Sequence, residues 1–162
     1  MAWRMVAVVA TLGLAAAVVV GLFVLAPQSH RIAGSAMAPT LQDNDRAVFV
    51  RPFGPVARGD VVSFRYPRNP SKMFSMRIVG LPGERVAIVA GVVHIGGRGL
   101  DEPYLGAAAR PLQSVAPIQL SADEYFVLGD NRGNASDSRE WGPVARRYIR
   151  SRLAFIWWRA PS

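Results

Sequence analysis

Few side chains in this sequence are able to do covalent or acid–base chemistry. Lys72 is the only lysine, His30 and His94 are the only histidines, and there is no cysteine. Without cysteine a thiol nucleophile, a disulfide framework and thiolate-bound metal are excluded. His30 and His94 are far apart and have no acidic neighbour at ligand spacing, so each fits an ordinary strand position and no metal or other cofactor is expected. The densest polar run is Gly129-Asp130-Asn131-Arg132 followed by Asp137-Ser138-Arg139. Carboxylates and guanidiniums alternate there with turn formers, the composition of an ion-pair and turn network beneath a site.

Short β-rich runs must position these residues. They are Ala47–Arg51, Val61–Tyr66, Met73–Val79, Arg85–Val89, Val92–Ile95, Tyr125–Leu128 and Tyr148–Trp158. Gly, Pro, Asn and Asp punctuate the gaps, and Gly91 suits a tight hairpin between two of the runs. This pattern predicts a mostly β fold, a barrel or packed sheets. Residues 106–121 are Ala- and Pro-rich without a clear period and are expected to form a surface loop. Phe155–Trp158 reads as core plus a membrane-interface anchor. The net charge of +8 is carried by scattered arginines with no nucleic-acid module among them, so nucleic acid is not an expected partner.

From Met5 to Ala26 the sequence is uncharged and apolar. As a helix this run would be about 33 Å long, sufficient for a hydrocarbon core of about 30 Å. It exceeds the apolar core of a cleaved leader, and Pro27 follows where a cut would fall. Residues 1–26 are therefore expected to be a short tail and a single transmembrane anchor, and residues 27–162 a β domain. The favoured orientation places the N-terminus in the cytoplasm and the β domain outside.

Four segments, in order, resemble the type I signal peptidase family. They are Gly34-Ser35-Ala36-Met37-Ala38-Pro39-Thr40-Leu41, Arg77-Ile78-Val79-Gly80-Leu81-Pro82-Gly83-Glu84, Leu100-Asp101-Glu102-Pro103-Tyr104-Leu105, and Gly129-Asp130-Asn131-Arg132 through Asp137-Ser138-Arg139 to Trp141-Gly142. Arg152–Trp158 is similar to the family's closing strand. The resemblance implies a signal-peptidase-like β domain behind the anchor, in the bacterial inner membrane and facing the periplasm. It also implies endoproteolytic removal of signal peptides from exported proteins by a serine nucleophile and a lysine base, without a cofactor.

In that pattern the nucleophile immediately precedes Met37 and the base immediately precedes Arg77. These positions hold Ala36 and Met76. Neither side chain attacks a carbonyl or accepts a proton. Rescue by neighbours is disfavoured: on extended backbone Ser35 points to the opposite side from Ala36, and Lys72 lies about 13 Å along a strand from Met76. The family's third active-site serine falls at Ala135, with Ser136 next to it, and Gly133 replaces the usual acidic residue. Arg77 points away from Met76 by strand parity and is expected to be a structural partner of the network of Asp130, Asn131, Arg132, Asp137 and Arg139. Gly34, Ser35, Met37, Pro39, Asn131 and Ser136 complete the expected site.

The expectation is an inactive family member that binds signal peptides or pilin-type extended segments, with an active signal peptidase or a translocon as further candidate partners. Two alternatives stay open. One is an active signal peptidase whose parent carries Ser at 36 and Lys at 76; the other is a non-enzymatic membrane assembly or scaffold protein. The changes at Gly133 and Ala135 favour natural divergence over deliberate disabling.

Overall fold

Where a β-branched or aromatic run has one face to solvent, alternate residues turn inward. In the strand Arg46–Val50, for example, Ala47 and Phe49 are buried while Arg46 is exposed. The computed structural model of the chain describes Trp3, Gly13 and residues 27–52, 54–105 and 113–161. The expected anchor falls almost wholly outside the described residues, and among these no helix is long and apolar enough to cross a membrane.

Among the described residues eleven strands follow in chain order: β1 (Gln28–Arg31), β2 (Arg46–Val50), β3 (Val61–Tyr66), β4 (Asn69–Gly80), β5 (Arg85–Val89), β6 (Val92–Ile95), β7 (Arg98–Gly99), β8 (Val115–Gln119), β9 (Glu124–Leu128), β10 (Val144–Ala145) and β11 (Ile149–Trp158). One short helix, α1 (Ser138–Trp141), and a single 3₁₀ turn at Arg146–Tyr148 interrupt them. A seven-stranded sheet has the order β1-β2-β11-β3-β4-β9-β10, and a four-stranded sheet the order β7-β6-β5-β8. All pairings are antiparallel. The mostly β expectation therefore holds as two packed antiparallel sheets.

The larger sheet curls until residues of β1 and β4 line one cleft. Its interior holds Met37, Leu41, Phe49, Val62, Phe64, Met76 and Ile78. A second core joins the small sheet to β9 through Val79, Val86, Ile88, Phe126 and Leu128. Gly80 lies where the two meet. A Cβ there would sit 2.6 Å from Val86 Cγ2 and 2.9 Å from Phe126 Cβ, so only glycine admits this approach.

Two sequence expectations need correction. Residues 106–121 are not all loop, because Val115–Gln119 forms β8 against β5. Pro117 masked it, yet β8 is an edge strand, where a missing backbone donor is tolerated. Phe155–Trp158 is not mainly core either: Phe155, Trp157 and Trp158 are exposed, and only Ile156 packs against the interior. The polar β1 carries no apolar alternation and was not expected. The hairpin at Gly91 forms as anticipated, with Ala90 and Gly91 both at positive φ between Val89 and Val92.

Candidate functional site

The first wall of the cleft is the turn that follows β1. Gly34 adopts φ +86°, and its N–H donates to Asp43 Oδ1 at 2.7 Å. The Ala38 N–H donates to the Ser35 carbonyl at 3.1 Å and the Leu41 N–H to the Met37 carbonyl at 2.9 Å. Met37 and Leu41 are buried and pin this turn to the core. From the other side, the Asn131 N–H donates to the Ala36 carbonyl at 3.0 Å, and Asn131 Nδ2 to the Ser35 carbonyl at 3.1 Å. Gly129 permits that approach. A Cβ on it would lie 2.5 Å from the Ala36 oxygen and would also collide with the Ala135 methyl.

The facing wall is β4. Ala36, Met37, Phe74, Ser75 and Met76 line one cleft of about 350 Å³, with Ser63 of β3 beside them and His30 and Arg31 at one end. Met76 is 3% exposed, its side chain turned into the core that forms the cleft floor. The cleft brings the Ala36 and Met76 positions together and leaves Ser35 and Lys72 out of its lining. The Ser35 hydroxyl accepts instead from Asn134 Nδ2 at 3.1 Å. Lys72 stands exposed on β4. Ser136, rather than Ala135, reaches the cleft wall, and its hydroxyl donates to Glu140 Oε2 at 2.5 Å. Pro39 is exposed and is not part of the cleft lining.

Behind this cleft lies a network of buried charge. Arg77 donates from Nε to Asp130 Oδ1 at 2.8 Å and from Nη2 to Asp130 Oδ2 at 2.6 Å. Its Nη1 donates to the Gly59 carbonyl at 2.7 Å. The Asp130 side chain is fully buried, so this fork is a charge-assisted pair out of water. Asp137 accepts from the Gly129 N–H at 3.1 Å and from Arg139 Nε at 2.7 Å, and it caps α1 through the Arg139 N–H. Asp130, Asn131, Asp137 and Arg139 thus hold the 129–139 segment against the Ala36 turn.

Three further participants were not singled out from the sequence. The Thr40 hydroxyl donates to Asp130 Oδ2 at 2.5 Å and accepts from Arg77 Nη2 at 3.0 Å. The Tyr104 ring lies under the Arg77 guanidinium, 3.8 Å from the ring centroid. Its hydroxyl donates to Glu102 Oε1 at 2.6 Å, and Glu102 in turn pairs with Arg132, which donates to the Gly129 carbonyl. Burial pushes the Tyr104 phenol upward, reinforced by its hydrogen bond to Glu102 and that carboxylate's charge, with Arg132 and Arg77 opposing. For Arg132 burial acts against the charge, but the hydrogen bond and charge of Glu102 outweigh it and raise the guanidinium further. The signal for all three was present in the motifs around Pro39-Thr40-Leu41 and Leu100–Leu105.

The resulting arrangement is an apolar trough beside a rigidly braced turn, with an alanine methyl and a methionine thioether at its centre. The signal peptidase, peptidase S26 family model matches residues 3–158. The chain is 35% identical over 158 residues to a signal peptidase I of Leptolyngbya laminosa, covering 91% of this chain and 77% of that one. Against the signal peptidase I S of Bacillus subtilis (strain 168) it is 30% identical over 149 residues, covering 84% and 78%. A crystal structure of a signal peptidase I from Enterococcus faecalis V583 superposes with a TM-score of 0.56 at 28% identity, covering 64% of this chain and 100% of that chain. Sequence, fold and motif order agree: this chain belongs to the signal peptidase family, peptidase S26.

Proposed function

We propose that this protein binds the leader-type segments of exported proteins and does not cut them. The observation that carries the reading is the pair Ala36 and Met76 on the walls of one apolar cleft, at the positions where the family pattern has its nucleophile and base. Alanine retains the shape of serine without its oxygen. Methionine fills a lysine-sized slot without charge, which avoids the cost of burying an ammonium. Loss of a catalytic serine or its base costs up to about a million-fold in rate.

Support for retained binding comes from the backbone. β4 pairs with β3 along Met73–Arg77, whereas β9 pairs with β4 only from Arg77 onward. Among the described residues the cleft edge of Met73–Met76 is therefore without a strand neighbour, and a signal-peptide or pilin-type segment in extended form fits such an edge. Small side chains of the guest would enter the shallow trough between Ala36 and Met76. The apolar run at residues 5–26 would anchor the protein in the bacterial inner membrane, with the β domain on the extracytoplasmic side.

The test is a leader-peptide cleavage assay on this chain and on its Ala36→Ser/Met76→Lys variant, run beside a binding assay with a peptide ending in Ala-x-Ala. The unmodified chain is expected to bind the peptide and leave it intact. Cleavage by the unmodified chain refutes the loss of catalysis, and no measurable affinity for the peptide refutes the binding role.

A further inference from the structure

Among the described residues seven arginines have carboxylate partners: Arg58, Arg77, Arg132, Arg139, Arg147, Arg152 and Arg159. Four others, Arg51, Arg65, Arg146 and Arg150, converge on a single groove of about 670 Å³. None of the four forms an ion pair, although all eleven acidic residues lie in described parts of the chain. No Asp or Glu lines the groove. Gathering like charge without compensation is unfavourable, and a low-dielectric wall makes such a groove a focus for anions.

The groove is also furnished with polar atoms that have no partner. Ser151 is 4% exposed and lines it, and its hydroxyl makes no hydrogen bond. His30, which also lines the groove, has a buried Nε2 that is likewise unsatisfied. Leaving buried polar atoms unpaired is costly, and both belong to residues of the groove wall. Guanidinium forks with a hydroxyl between them match the several oxygens of a phosphate.

Position narrows the source of that phosphate. Gln28, which opens β1 and lines the groove, follows the apolar run at residues 5–26 by two residues. The next residue, Ser29, accepts a hydrogen bond from Trp157 Nε1 at 3.0 Å, and Trp157 belongs to the exposed set with Phe155 and Trp158. The exposed aromatic rings of β11 thus lie across β2 from β1, on the sheet that carries the arginine groove, and positive charge beside aromatic rings suits a lipid–water boundary. We infer that this groove binds the phosphate headgroup of an anionic phospholipid in the leaflet where residues 5–26 emerge. The lipid placement rests on the reading of that run as an anchor, whereas the anion site itself does not.

The neighbouring peptide cleft shares His30 and Met73 with the groove, so an acidic stretch of a bound peptide is the competing occupant. The experiment uses the full chain in a non-ionic detergent, with tryptophan fluorescence as readout. It is titrated separately with dihexanoyl phosphatidylglycerol, dihexanoyl phosphatidylcholine, inorganic phosphate and a peptide rich in Asp and Glu. Phosphatidylglycerol is expected to bind at least about tenfold more tightly than the other three. Arg65→Gln/Arg150→Gln, at two exposed positions, is expected to weaken it by about tenfold or more. Ser151→Ala tests the floor and should weaken the same lipid.

Equal binding of the two lipids, or unchanged affinity in the arginine variant, overturns the inference. Tighter binding of inorganic phosphate or of the acidic peptide overturns the headgroup assignment. Binding of the Ala-x-Ala peptide by the arginine variant serves as the folding control. Loss of that peptide's binding in the unmodified chain, with lipid binding intact, would sink the peptide reading and leave this one standing.

Discussion

Asp130 illustrates what one buried carboxylate holds together. It satisfies the Arg77 fork on one side and the Thr40 hydroxyl on the other, with the ring of Tyr104 beneath the guanidinium. Removing one member of such a pair leaves the other charged and dry. Asp130→Ala is expected to cost about 3–5 kcal/mol of unfolding free energy, read from urea midpoints. The double variant Asp130→Ala/Arg77→Met should recover part of that loss, and a single-variant cost below about 1 kcal/mol would contradict a coupled buried pair. The sequence exposed the charges of this network but not its uncharged members. Asp130, Asp137 and Arg139 are conspicuous by type, whereas Thr40 and Tyr104 stand inside the motifs with no charge to mark them as members of the network.

Elements were legible where β-branched and aromatic residues form either a continuous run or a period of two. β3, β5 and β6 appear at the anticipated residues because buried β-branched and aromatic side chains dominate them. β1 and β8 escaped notice because edge strands need little apolar alternation, and in β8 a proline breaks the pattern as well. The turn from β4 to β5 shows how a loop is fixed by charge instead. Glu84 accepts from the Leu81 N–H at 2.8 Å and from Arg58 at 2.5 Å, while Arg58 also donates to the Val79 carbonyl. Burial raises the Glu84 carboxyl, but the hydrogen bonds from Arg58 and Leu81 and the charge of Arg58 outweigh it, so its titration falls below the ordinary value of 4.5. A depressed folded-state value means stability that is fully present above the unfolded value and lost as pH falls through the folded one. Thermal midpoints of the unmodified chain and of Glu84→Gln should therefore differ most above about pH 5 and converge as the medium becomes more acidic. A constant difference across that range would show that Glu84 has no part in the acid sensitivity.

Across the whole molecule, the two cores and the curled sheet depend on contacts between distant parts of the chain. β11 is the last strand, yet it lies between β2 and β3 in the larger sheet. It pairs Arg152 with Val50 on one side and with Val62 on the other, close to a hundred positions back along the chain. A chain cut after Tyr148 is expected to lose the cooperative thermal transition and most β-type circular dichroism; a truncated protein that still melts cooperatively would refute the central role of β11. The same arrangement sets an order of events in time. While the polypeptide is being made or threaded across a membrane, β2 and β3 wait side by side with an open seam, and only the arrival of the closing strand seals it. Until then Phe49 and Phe64, which end up fully buried, remain within reach of any passing chaperone or hydrophobic surface.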